Sequence, residues 1–214
     1  MTDITGINRR VAVAGALAIP AVGHAAPEPV VTVLGDSITA GYGLPPAQAL
    51  PAQLERELRA LGVAARVRGA GVSGDTTAGG LRRVESSVRA DTQLCVVALG
   101  GNDLLSLYEP RTIRSNLDAI VQRLKARRVK VLLAGIQAPL ELGTYARAFN
   151  AVYPAVAKAH GVPLHASLLA GVALDRRYNQ PDLIHPNAAG VKIIAQRLAR
   201  TVAVALRTGA AAAR

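Results

Sequence analysis

The chain has 214 residues, enough for one α/β domain and too few for two comfortable ones. Half of the residues are hydrophobic, which excludes a disordered chain, and a single cysteine, Cys95, excludes an intrachain disulfide and a cysteine-based metal site. The formal charge is +11, yet the basic residues fall in scattered pairs such as Arg82-Arg83 and Arg176-Arg177, and five tyrosines and one phenylalanine give no base-stacking platform, which excludes an evident nucleic-acid binder.

The first segment reads as an export signal. Arg9 and Arg10 precede an apolar stretch over residues 11–22, too short to span a bilayer comfortably, and Gly23-His24-Ala25 offers small residues at the −3 and −1 positions of a cleavage site. Cleavage near Ala25 by a secretory peptidase is expected, with either the general or the twin-arginine export route open. Losing Asp3, Arg9 and Arg10 with the leader would leave a charge of +10. The mature domain is then expected over residues 26–207, with an Ala-rich tail over 208–214 and a periplasmic or secreted location. The excess of basic charge leaves open a weak attraction to anionic membrane surfaces.

Residues 30–34 (VVTVL) are a β-branched run ending at Gly35, which suits a buried strand. Leu50, Leu54, Leu58 and Leu61 mark one face of a helix over 48–61. A short alternating strand is expected over 63–68 and a helix over 79–90. The run Leu94-Cys95-Val96-Val97-Ala98-Leu99 is a second fully apolar strand, in which Cys95 acts as a small buried hydrophobe. Ile113, Leu117, Ile120, Val121 and Leu124 mark the buried stripe of the next helix. A strand over 129–136, a helix over 144–160, a short strand at 162–164 and a last helix over 187–206, N-capped by Asn187, complete the chain. Strands alternating with helices predict a parallel sheet covered on both faces.

In such a sheet, ligands bind beyond the carboxyl ends of the strands. Ser37 follows the first strand within Gly35-Asp36-Ser37, where a tight turn into a helix exposes its hydroxyl and its own N–H. A serine needs a base to be a useful nucleophile. His185 is the best placed of the three histidines after the leader. His160 reads as a surface residue at a helix end, and His165 ends a short strand. Asp182 precedes His185 by three residues, so one turn brings its carboxylate to the imidazole Nδ1–H and leaves Nε2 facing the serine. Gly100-Gly101-Asn102-Asp103 offers an amide donor at Asn102, and Gly71-Val72-Ser73-Gly74 offers a backbone N–H at Gly74, both suited to a developing oxyanion. Taken singly, each element also reads as an ordinary cap or turn.

Their order along the chain is specific. The GDSITAGYG, GVSGDTTAGGL, GGNDLL and DLIHPN stretches resemble the four blocks of the SGNH (GDSL) hydrolases, in particular the exported bacterial thioesterase I, lysophospholipase and arylesterase branch. The resemblance spans roughly residues 30–205. It implies a three-layer α/β/α sandwich with a mostly parallel five-stranded, flavodoxin-like sheet. It implies Ser37 as nucleophile, His185 as general base and acid, and Asp182 as its orienting partner. The oxyanion hole would use the N–H groups of Ser37 and Gly74 and the side chain of Asn102. No metal or organic cofactor is expected, and the substrate would be a small-molecule or lipid ester or thioester. Asp36, Asp75 and Asp103 read as turn and network residues. A carbohydrate acetylesterase on the same fold is one alternative. A nonenzymatic exported binding domain is another, since Gly69, Gly71 and Gly74 fit a G-x-G-x-x-G nucleotide-binding pattern.

Overall fold

A computed structural model describes residues 28–208. The expected leader and the expected tail beyond Thr208 lie outside the described residues. Five strands, β1 (Val30–Gly35), β2 (Arg66–Gly71), β3 (Thr92–Ala98), β4 (Lys130–Ala134) and β5 (Leu164–His165), form one sheet in the order β2-β1-β3-β4-β5. Every pair is parallel. Among the described residues the α-helices are α1 (Ser37–Ala40), α2 (Leu50–Ala60), α3 (Thr77–Ser87), α4 (Gly101–Leu105), α5 (Pro110–Ala126), α6 (Gly143–Asn150), α7 (Val152–His160) and α8 (Ala188–Arg207). None of them is long and apolar enough to cross a membrane.

The topology follows from crossover handedness. β2 lies on one side of β1 and β3, β4 and β5 lie on the other, so right-handed crossovers send α2 to one face and α3, α5 and α7 to the opposite one. α8 joins α2, while α5 packs between α3 and α7. This is the expected three-layer sandwich. β1 is buried along its whole length, as its apolar sequence requires for a strand covered on both faces. Its one polar side chain, Thr32, is fully buried and shares a 2.8 Å hydrogen bond with Thr92 on β3. Leu50, Leu54 and Leu58 of α2 are fully buried, as are Ile113, Leu117, Ile120, Val121 and Leu124 of α5. Cys95 is buried, and desolvation pushes its thiol up to about 12, so it serves as packing.

Several boundaries differ from expectation for identifiable reasons. The helix expected over 144–160 is two helices that meet at Ala151. Pro154 has no N–H to give the Asn150 carbonyl, and the Asn150 side chain instead bonds both the N–H and the carbonyl of Ala138. β2 lies three residues later than expected and includes Gly69 and Gly71. A side chain at Gly71 would collide with the backbone of Ala40, so the glycine admits α1 across the strand end. The G-x-G-x-x-G match therefore begins inside a strand and not at a strand-to-helix turn, which removes the basis of the nucleotide-binding alternative. His160 is not a free surface residue: its Nε2 lies 2.9 Å from Asp118 Oδ1, and its side chain is mostly buried.

Candidate active site

The site lies at the carboxyl edge of the sheet, where β1, β3 and β4 release their loops. The end of β1 passes directly into α1. Asp36 caps that short helix by accepting the Ile38 N–H at 3.0 Å, and Ser37 is its first residue. The N–H of a first helical residue has no acceptor within its own helix. Ser37 is only 7% exposed, yet its hydroxyl reaches the wall of a cavity.

The partner of that hydroxyl comes from the other end of the chain. Between Asn179 and Pro186 the backbone folds into a tight loop closed by an isolated antiparallel bridge, in which the Gln180 N–H donates to the His185 carbonyl at 2.8 Å. Leu183, at the tip, holds φ +60°, a left-handed conformation uncommon for a branched side chain. The loop aims Asp182 inward. One carboxylate oxygen accepts the N–H groups of Ile184 and His185 at 2.9 and 3.0 Å, and the other lies 2.7 Å from His185 Nδ1. Those contacts hold the Asp182 carboxyl down to about 2. An ionised carboxylate can only accept, so Nδ1 carries the imidazole proton and Nε2 presents its lone pair. Nε2 lies 3.0 Å from Ser37 Oγ. The three residues singled out from sequence thus meet in an unbroken hydrogen-bonded series, although Ser37 and His185 are 148 residues apart.

The donors expected for the oxyanion are only partly gathered by direct contact. Gly100 turns the chain out of β3 at φ +115°, and the Tyr153 hydroxyl fills the space a side chain would need while donating to the Leu99 carbonyl at 2.7 Å. The turn starts α4 and carries Asn102 to the cavity wall. Asn102 Nδ2 donates one hydrogen to the Asp75 carbonyl at 2.8 Å and keeps a second. Gly74 sits beside Asp75 in the loop after β2, at φ +79°, and its N–H has no acceptor among the described residues. Asp103 accepts the N–H and the hydroxyl of Thr77 at 2.8 and 2.6 Å. Asp36, Asp75 and Asp103 are all engaged as turn and network groups.

Two contributors are not singled out from the sequence. Tyr42 lies against the His185 ring, with centroids 4.4 Å apart and planes tilted by 34°. Gln180 donates to the carbonyls of Tyr42 and Pro186 at 2.8 and 3.1 Å, tying the histidine loop to the chain after α1. Both contacts join segments far apart in sequence, and neither residue type is diagnostic.

A cavity of about 480 Å³ opens beside Ser37, His185 and Asn102. Its wall is largely aliphatic, with Ile38, Leu104, Leu107, Ile136, Leu169 and Leu183 among its lining residues. The segment after β4 contributes Pro139 and Leu142. Burial raises the Asp36 carboxyl to about 6, against the lowering pull of the Ile38 N–H and of nearby His185.

Comparison with known proteins identifies the family and the fold. Residues 33–193 match the model of the GDSL-like Lipase/Acylhydrolase family. The chain is 38% identical over 183 residues to Esterase TesA of Pseudomonas aeruginosa, covering 85% of this chain and 91% of that protein. It is 35% identical over 179 residues to thioesterase 1/protease 1/lysophospholipase L1 of Escherichia coli K12, covering 83% and 85%. The crystal structure of AlinE4, an SGNH-hydrolase family esterase, superposes with a TM-score of 0.70 at 40% identity, covering 85% of this chain and 98% of that one. The sequence match, the relatives and the shared architecture place this chain in the GDSL-like lipase/acylhydrolase (SGNH) family of ester-hydrolysing serine enzymes.

Proposed function

We propose that Ser37, His185 and Asp182 carry out the ester hydrolysis of this family, with the N–H groups of Ser37 and Gly74 and the Asn102 side chain holding the oxyanion. The observation that carries the reading is the run from Asp182 Oδ2 to His185 Nδ1, and from His185 Nε2 to Ser37 Oγ, at 2.7 and 3.0 Å. Ser37 Oγ attacks the acyl carbonyl while Nε2 takes its proton. Asp182 keeps Nδ1–H in place and stabilises the imidazolium. The carbonyl oxygen gains charge among these donors, each worth roughly 3 kcal/mol of barrier. The imidazolium protonates the leaving alcohol or thiol, and water then repeats the sequence on the acyl-enzyme.

The aliphatic cavity fits the acyl part of a carboxylic ester or thioester. A sugar acetate would find few hydrogen-bonding partners in that lining, so the carbohydrate reading is set aside. The N-terminal charge and hydropathy pattern supports an exported protein, periplasmic or secreted, which N-terminal sequencing of the mature chain tests. The basic excess supports a weak, salt-sensitive attraction to anionic membranes, which vesicle sedimentation at low and high salt tests.

The decisive experiment uses p-nitrophenyl esters of rising chain length on wild type and Ser37→Ala, together with fluorophosphonate labelling. Ser37→Ala should stay folded, lose turnover and lose the label. A folded Ser37→Ala that still hydrolyses these esters would remove the assignment.

A further inference from the structure

Arg83 reads in the sequence as half of one of several scattered basic pairs. Its neighbour Arg82 is exposed, but the Arg83 side chain is only 18% exposed and turns beneath the site. Its Nε donates to Asp75 Oδ2 at 2.6 Å. One terminal nitrogen donates to the Ala70 carbonyl at 2.8 Å and to Ser87 Oγ at 3.2 Å. The other donates to the Gly35 carbonyl at 2.8 Å. A single guanidinium thus links the last turn of α3, the end of β2, the end of β1 and the loop after β2.

Two of these links, to Gly35 and Asp75, lie one or two residues from a proposed oxyanion donor. Gly35 precedes Asp36 and Ser37, and its carbonyl also accepts the Val72 N–H at 3.1 Å. Asp75 directly follows Gly74, and the Asp75 carbonyl is the group that Asn102 Nδ2 bonds. We infer that Arg83 is a positioning residue that sets the Ser37 N–H, the Gly74 N–H and the Asn102 amide in common register. The planar fork is what makes this feasible, since a lysine ammonium cannot reach a carboxylate and two diverging carbonyls in one geometry. Hydrogen bonds to the part-buried strand-end carbonyls also oppose drift of the loop after β2, which would strand a polar group. The inference rests on the assignment of the oxyanion donors made above. It adds a residue that touches neither substrate nor the reacting atoms.

The test compares wild type, Arg83→Met, Arg83→Lys, Asn102→Ala and the Arg83→Met/Asn102→Ala double variant, using a short p-nitrophenyl ester and thermal melts to fix the folded fraction. Donors displaced by a fraction of an ångström should lower kcat by ~10²-fold while KM stays within about threefold. Because Arg83 acts in part through Asn102, by way of Asp75, the double variant should lose less than the product of the two single losses. Arg83→Lys keeps a charge opposite Asp75 and should recover part of kcat; it also carries the test if Arg83→Met does not fold. Multiplicative losses in the double variant, or wild-type kcat per folded molecule in Arg83→Met or Arg83→Lys, would overturn the inference. Turnover by Ser37→Ala would instead remove the reading on which it rests, so the two failures are distinguishable.

Discussion

Replacing Asp36 by Asn should raise stability relative to wild type progressively from acid to neutral pH. Asp36 is 4% exposed, and burial raises its carboxyl from 3.8 to about 6. Below pH 4 the carboxyl is protonated in the folded and unfolded chain alike, and its ionisation adds nothing. Between about 4 and about 6 the unfolded chain ionises while the folded one still holds the proton, so stability falls as pH rises. Above about 6 the full penalty is present. The gap between 3.8 and about 6, at about 1.4 kcal/mol per pH unit, amounts to about 3 kcal/mol. An Asn side chain keeps an oxygen for the Ile38 N–H and has no proton to lose. Urea unfolding of both proteins from about pH 4 to about pH 8 should show the variant gaining on wild type by roughly that amount across the range, whatever the offset at the acid end. A difference that stays level with pH would mean that Asp36 ionises normally, and burial would then not govern its charge.

Asp182 has the opposite linkage. Its carboxyl is held down to about 2, so its contribution is intact above about 4 and is lost as pH falls towards 2. Asp182→Asn should therefore lose its stability difference from wild type over that acid window, as read by unfolding. At neutral pH the same variant should lower kcat by ~10²- to 10⁴-fold, because an amide no longer fixes the Nδ1–H tautomer; an unchanged kcat would remove Asp182 from its role. Far from the site, α5 ends with the Arg128 N–H on the Lys125 carbonyl and the Val129 N–H on the Leu124 carbonyl, and Arg128 holds φ +59°. Gly62 and Gly161 occupy the same position after α2 and α7. Arg128→Gly should raise stability by about 1 kcal/mol without changing kcat, as judged by melts and ester assays.

The sheet and the three central residues were legible because their signals are local. VVTVL and LCVVAL are too apolar for anything but strands covered on both faces. Ser37, Asn102 and the Asp182–His185 pair each follow a strand or precede the last helix. The rest depends on contacts between distant segments. Nothing around Arg83 distinguishes it from Arg82 until the ends of β1 and β2 arrive beside it. Tyr42 gains meaning only when the His185 ring lies against it. The break at Ala151 required weighing Pro154 against a strong apolar stripe, and the stripe concealed it. Gly69 and Gly71 weaken a strand signal locally, yet they belong to β2 because Pro51 of α2 takes the space at Gly69 and α1 takes the space at Gly71.

The helix that follows the histidine loop, α8, packs against α2. The Ser37 hydroxyl precedes its imidazole partner by 148 residues of chain. Only when this final segment has emerged and seated itself does an imidazole reach the serine. Under the proposed triad, reactivity should begin only once this segment is seated, and forms that lack it should leave esters intact.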